Sequence, residues 1–159
     1  MKIFEPSRAI YRKKTSRIKI CEFCNLKNIK KQESKFLSGK YWRVLVNLYP
    51  YMDGNLMLIP KRHIIDTNEL NSDEKAEFFE VLEKTKNKLG KIFKTKDFNI
   101  GLNLGRNAGA SIEHLHWQII PRKFKIENAS NIFADIQIMT MLPGEFKKIL
   151  DAEINLRNN

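Results

Sequence analysis

Histidine and cysteine are scarce in this chain: three of the first and two of the second among 159 residues. Any site built from several of them must use almost all of them. No apolar run approaches the roughly 20 residues that a membrane-spanning helix needs. The first residues, MKIFEPSRAI, lack the apolar segment of a secretory signal. These absences predict a soluble, cytoplasmic chain with no membrane partner. The cysteines stand together as CEFC, Cys21 and Cys24, too few for a disulfide framework. In a reducing compartment a C-x-x-C binds a metal or does redox chemistry. Internal repeats and low-complexity linkers are also absent, so one domain accounts for the chain.

Acidic residues are the minority, 18 against 29 basic, for a formal net charge of +11. That sign favours polyanionic partners: nucleotides, nucleic acid or an acidic lipid surface. The lysines are spread along the chain, as on a solvated surface. Nucleic acid is therefore not the expected partner.

Periodicity predicts the elements. YWRVLVNLYP, 41–50, is β-branched and aromatic and reads as a strand, and NLMLIP, 55–60, as a second. Asp53-Gly54 is a turn signal, so the two form a hairpin with a short loop. NSDEKAEFFEVLEKTKNKLGKIF, 71–93, reads as a helix capped by Asn71 or Ser72, with Phe78, Leu82, Leu89 and Phe93 on its core face. DFNIGLNLG, 97–105, and HLHWQIIPR, 114–122, read as further strands around the glycine-containing loop GRNAGAS, 105–111. A last helix is expected from about Pro143 to Leu156. The order implies an α+β fold: an antiparallel sheet of about five strands, packed on one side by a long helix and a C-terminal helix. A basic arm or tail occupies 1–20, a core 21–122 and a C-terminal extension 123–159.

The chemistry concentrates in HLHWQ, 114–118. On a strand, alternate side chains share a face, so His114, His116 and Gln118 line up. An imidazole can attack phosphorus and split one hard step into two. A second imidazole and an amide could orient it and contact phosphate. The preceding loop adds backbone N–H groups and Ser111, and Asn103 ends the previous strand; such donors suit phosphate oxygens. Taken alone, the three residues fit equally well as ordinary polar residues on a half-buried strand.

The surroundings resemble a known family. FNIGLNLGRNAGASIEHLHWQIIPR, 98–122, resembles the signature of the histidine triad (HIT) superfamily: asparagine, glycine-rich loop, serine, then spaced histidines. VLVNLYPYMDGNLMLIPKRH, 44–63, resembles its other block, a hairpin ending in Ile-Pro-Lys-x-His. The look is most similar to bacterial diadenosine tetraphosphate phosphorylases, which NIF at 131–133 and LPGEFKKIL at 142–150 faintly resemble too. The resemblance implies His116 as nucleophile. It implies substrate contacts from Asn103, Gly109, Ala110, Ser111 and Gln118, and a ribose contact from Asn47, where many members carry aspartate. Ser111 and Gln118 would also serve the reaction itself. Leu45 and Leu48 lie near the implied base pocket, although core packing suits each better. Two positions depart from the pattern: Gln118 replaces the third histidine, as in the transferase branches, and Asn55 replaces a histidine that often follows the glycine.

A glutamine at 118 is neutral and gives up no proton. It can donate to a phosphate oxygen without serving in acid–base steps. That favours a phosphate-type acceptor over water. The resemblance also implies a metal. Two thiolates separated by two residues can reach one tetrahedral Zn²⁺. With His116 as nucleophile, His63 and His114 complete the set with Cys21 and Cys24, the ligands many family members use. Such a closed site is structural. Iron, a redox pair or an unmetallated pair remain as other readings of CEFC.

Three functions are thus in view. The first is transfer of a nucleotidyl, here adenylyl, group from a nucleotide or dinucleoside polyphosphate to phosphate or a phosphorylated acceptor, through nucleotidyl-His116. The second is hydrolysis of the same substrates. The third is nucleotide or RNA binding with little catalysis. The resemblance further implies a homodimer.

Overall fold

A computed structural model describes residues 21–123 and 142–152. The basic arm, the NIF segment and the last helix beyond 152 lie outside these residues. Strands β1 (Trp42–Val46) and β2 (Leu56–Pro60) pair antiparallel, Trp42 opposite Pro60 and Val46 opposite Leu56. Their connection, 47–55, is longer than a tight hairpin turn. Its ends are tied by Asn47 N–H donating to the Asn55 carbonyl at 3.2 Å. Gly54 turns the chain with φ +78, a conformation that L side chains rarely adopt.

Helix α2 (Ser72–Phe93) follows; a four-residue helix, α1 (Leu26–Ile29), precedes β1. Asn71 caps α2 through a reciprocal pair. Its side chain accepts from Glu74 N–H at 2.8 Å, and Glu74 accepts from Asn71 N–H at 2.9 Å. The helix ends at Lys94, in the left-handed conformation. Phe78, Leu82, Leu89 and Phe93 are all buried, as their spacing predicts. Its Glu77 carboxylate accepts from three successive backbone N–H groups, those of Lys40, Tyr41 and Trp42, at 2.6–2.9 Å. Those donors stand at the start of β1, where the ladder leaves them without strand partners.

β3 (Asp97–Gly101) and β4 (Trp117–Arg122) complete a four-stranded antiparallel sheet in the order β1-β2-β4-β3. About five strands were expected, and four are found among the described residues. Residues 32–34 also run beside β1 for two backbone bonds, Ser34 N–H to Val44 and Val46 N–H to Gln32, both 2.9 Å. The chain then turns at Ser34, and only an isolated bridge between Glu33 and Leu45 remains. β3 and β4 are also shorter than predicted.

Side-chain alternation gives the sheet two unlike faces. On one, Trp42, Val44, Val46, Leu56, Leu58, Leu115 and Ile119 pack under α2 and the C-terminal helix α3 (Pro143–Ala152), which contributes Phe146 and Leu150. On the other, Leu45, Met57 and Ile59 are covered by Phe23 and Ile29 of the knuckle and α1. The second face carries the polar residues.

Candidate functional site

His114 and His116 precede β4, yet the alternation runs on through them: Leu115 enters the helix-side core while the histidines face the other way. The segment is held by Leu115 N–H donating to the Ile64 carbonyl at 2.7 Å. That bond brings the stretch after β2 alongside, and with it His63, whose ring centroid is 4.8 Å from that of His114.

Cys21, Cys24, His63 and His114 converge. One donor atom from each lies within 4.8 Å of all the others. His114 Nε2 lies 3.0 Å from the Pro60 carbonyl, an acceptor only, so Nε2 carries the proton. Nδ1 is thereby left as the lone-pair nitrogen. It faces the Cys21 and Cys24 sulfurs at 3.5 and 3.7 Å, and His63 Nδ1 lies 3.3 Å from the Cys24 sulfur. A tetrahedral zinc with ordinary bond lengths holds sulfur and nitrogen donors about 3.5 Å apart. The donor set fits that ion in type and spacing. Burial pushes the His114 imidazole down to about 4, against the pull of the Pro60 carbonyl, so the ring is neutral as a ligand must be. Loss of hydration and the neighbouring Cys21 push the Cys24 thiol up to about 11.

Beside this cluster opens a cleft of about 410 Å³ whose lining includes His116, Gln118, Ser111, Asn103, Gly109 and Asn47. Such a volume suits a small ligand. Of the residues expected to contact substrate, only Ala110 is missing from the lining; its N–H turns inward to the Gly105 carbonyl. His116 Nδ1 donates to the His114 carbonyl at 2.7 Å, which leaves Nε2 with the lone pair. Burial holds this imidazole below its usual range, opposed by that carbonyl. Phe23, between the two cysteines, sets its ring edge-on to His116 at 5.4 Å and to His114 at 5.9 Å. Gly109 has φ +99, and a Cβ there would meet the Asn103 amide at 3.2 Å. The positive φ is what calls for glycine here, and the contact lets the loop lie close against Asn103.

Leu48 was expected in the core but lines the cleft, about half exposed; Leu45 is fully buried. Sequence reasoning missed Phe23, Lys31, Tyr49 and Tyr51 as lining residues. CEFC and YPY carried a signal, aromatics beside cysteines and around a proline, but neither spacing says which way the rings face. Lys31 is the one cationic side chain among the described lining residues. The glycine loop's Arg106 is paired instead with Glu113 at 2.8 Å. Among the described lining residues Glu22 and Lys31 are of opposite charge, and the remaining polar groups are amides, hydroxyls and the His116 imidazole.

The HIT domain family matches residues 28–125. The chain belongs to the HIT family. It is 33% identical over 116 residues to the AP-4-A phosphorylase of Mycobacterium tuberculosis, covering 72% of this chain and 60% of that protein. It is 32% identical over 104 residues to a bis(5'-adenosyl)-triphosphatase of Saccharomyces cerevisiae, covering 65% and 50%. This HIT chain thus spans between half and three fifths of the length of these relatives. The fold is similar to the Plasmodium falciparum diadenosine triphosphate hydrolase solved in complex with cyclomarin A. That match has a TM-score of 0.63 and 24% identity, and covers 82% of this chain and 80% of that one. The relatives are named as enzymes of diadenosine polyphosphates, one a phosphorylase and others hydrolytic. No helix among the described residues is long and apolar enough to cross a membrane.

Proposed function

We propose that this HIT protein cleaves dinucleoside polyphosphates at the α-phosphorus and passes the adenylyl group to phosphate through His116. The observation that carries this is the 2.7 Å bond from His116 Nδ1 to the His114 carbonyl. It fixes the tautomer with the Nε2 lone pair available to the cleft, beside Ser111, Asn103 and Gln118. Nε2 attacks the α-phosphorus of diadenosine tetraphosphate. The bond to the bridging oxygen breaks, and ATP leaves. A phosphate oxygen then attacks the adenylyl-histidine, the P–N bond breaks, and ADP leaves with the imidazole regenerated. The donors around His116 spread the charge that develops on phosphoryl oxygens. Asn47 Oδ1 accepts one backbone bond, from Tyr49 N–H at 2.9 Å, and keeps a lone pair for a ribose hydroxyl.

Zinc is the proposed ion for Cys21, Cys24, His63 and His114. With four protein ligands it would be structural, clamping the knuckle that carries Phe23 to the His114–His116 segment. A homodimer in the cytoplasm is the proposed form.

Water as acceptor is the second reading, motivated by the yeast triphosphatase. Product analysis with diadenosine tetraphosphate, with and without phosphate, separates the two. ATP plus ADP only with phosphate supports the phosphorylase; ATP plus AMP regardless of phosphate replaces it with a hydrolase. His116→Ala should keep the fold and lose turnover by at least about 10⁴-fold. Retained turnover there removes the nucleophile assignment.

A further inference from the structure

Asn55 is 1% exposed and buried behind the cleft. Its side chain makes a full set of bonds, and two backbone groups settle which way it faces. Its Oδ1 accepts from Tyr51 N–H at 3.2 Å, and its Nδ2 donates to the Leu56 carbonyl at 3.1 Å. A backbone N–H only donates and a carbonyl only accepts, so the amide cannot be turned over. Asn47 is oriented the same way: its Oδ1 takes Tyr49 N–H at 2.9 Å, and its Nδ2 donates to Asn55 Oδ1 at 3.0 Å.

The orientation then passes to Gln118. Asn55 Nδ2 lies 2.8 Å from Gln118 Oε1, and Asn47 Nδ2 lies 3.5 Å from the same oxygen. Both neighbours present N–H groups, so Gln118 must present its oxygen to them. Its Nε2 is then the atom left for a ligand in the cleft that Gln118 lines.

We propose that Asn55 is a positioning residue that locks Gln118 as a hydrogen-bond donor toward the transferred phosphoryl group. An unlocked glutamine could offer that group its oxygen, which repels phosphate. The lock consists of neutral amides anchored to backbone and does not titrate near neutrality. It also accounts for asparagine and glutamine at positions 55 and 118 together: the amide at one defines the amide at the other. The donor role toward the transferred group rests on the proposed adenylyl transfer, whereas the orientation of the Gln118 amide rests on the hydrogen bonds alone.

The test is a double-mutant cycle with an independent spectroscopic arm. Asn55→Asp keeps an acceptor for Tyr51 N–H but loses the donor to Gln118, so the glutamine turns over. The single-turnover rate of ATP release from diadenosine tetraphosphate should fall about 100-fold. In a Gln118→Leu background the same substitution should change the rate less than about twofold, because there is no amide left to orient. A second full loss in that background would show that Asn55 acts by another route and would overturn the proposal. Should Asn55→Asp not fold, Gln118→Glu makes the test: it still accepts from Asn55 but offers the cleft an oxygen. Turnover within threefold of the parent would then overturn the donor role. The spectroscopic arm titrates AMP and follows the Gln118 side-chain ¹H–¹⁵N amide signals. They should shift in the parent and not in Asn55→Asp; equal shifts in both would overturn the lock. If the parent protein turns nothing over, the functional reading fails, and the amide signals alone decide the lock.

Discussion

The Nδ1 of His116 sits 2.7 Å from the carbonyl oxygen of His114, whose own ring faces Cys21 and Cys24. One residue thus offers its side chain to the proposed ion and its backbone to the proposed nucleophile. Metal loading and catalysis should therefore be coupled. Cys21→Ser with Cys24→Ser should abolish zinc binding, lower Tm, and reduce turnover about 10- to 100-fold. Chelator-treated parent should behave alike, and added zinc should restore the parent but not the variant. Elemental analysis, thermal melting and product formation check this. A zinc-free parent with unchanged Tm would remove the clamp.

Stability should fall in acid through Glu74. Its carboxylate is held below the ordinary carboxylate value of 4.5, first by the Arg62 guanidinium and also by Asn71 N–H, against the opposing effect of burial. Arg62 Nε and Nη2 reach its two oxygens at 3.0 and 2.9 Å. Because the native pKa is depressed, the unfolded state takes up the proton first as pH falls. The stabilisation is therefore complete above about pH 4.5 and is lost below it, through the native pKa. Glu74→Gln should cost about 1–3 kcal/mol at pH 7 and flatten this acid limb. Urea midpoints between neutral and acid pH measure both. An unchanged acid limb in the variant would show that other carboxylates carry it.

Gly54 should tolerate no side chain. Its φ is +78, and a Cβ would lie 2.6 Å from Phe93 Cε2 and from Pro121 Cγ. Backbone strain and overpacking add, so Gly54→Ala should destabilise by roughly 2–4 kcal/mol. Gly144, in α3, has nothing within 4 Å of its Cβ position. Gly144→Ala should be neutral or stabilise by up to about 1 kcal/mol. Equal melting temperatures for the two variants would contradict the close approach of Phe93 and Pro121 to the turn.

Local patterns made much of this legible. The period of α2 told which face carries Phe78, Leu82, Leu89 and Phe93. The two-residue spacing of His114, His116 and Gln118 told which side they share, although β4 begins only at Trp117. What stayed hidden depends on partners far along the chain. Glu77 caps the start of β1 from 35–37 residues away, and Asn55 meets Gln118 across 63. Neither leaves a periodic trace, because one carboxylate or one amide has no period. The short edge beside β1 was hidden for a related reason. Residues 32–34 do approach β1, but the turn at Ser34 ends the pairing, and that turn contains neither glycine nor proline.

The third motif position gives the sharpest test of acceptor choice. Gln118 lies opposite Met57 on β2 and Gly101 on β3, so a ring can be accommodated on the glycine side. In Gln118→His, one ring nitrogen can accept from Asn55 Nδ2 while the other presents N–H to the cleft. That group, unlike an amide, titrates near neutrality and can exchange a proton with an attacking water. At fixed phosphate the ratio of AMP to ADP formed from diadenosine tetraphosphate should therefore rise. The rise should depend on pH, whereas partitioning in the parent should not follow a second ionisation. Chromatographic product ratios across pH 5.5–8 would measure it. An unchanged ratio would mean that the choice between phosphate and water is made elsewhere, with Lys31, the one cation among the described lining residues, the next position to substitute.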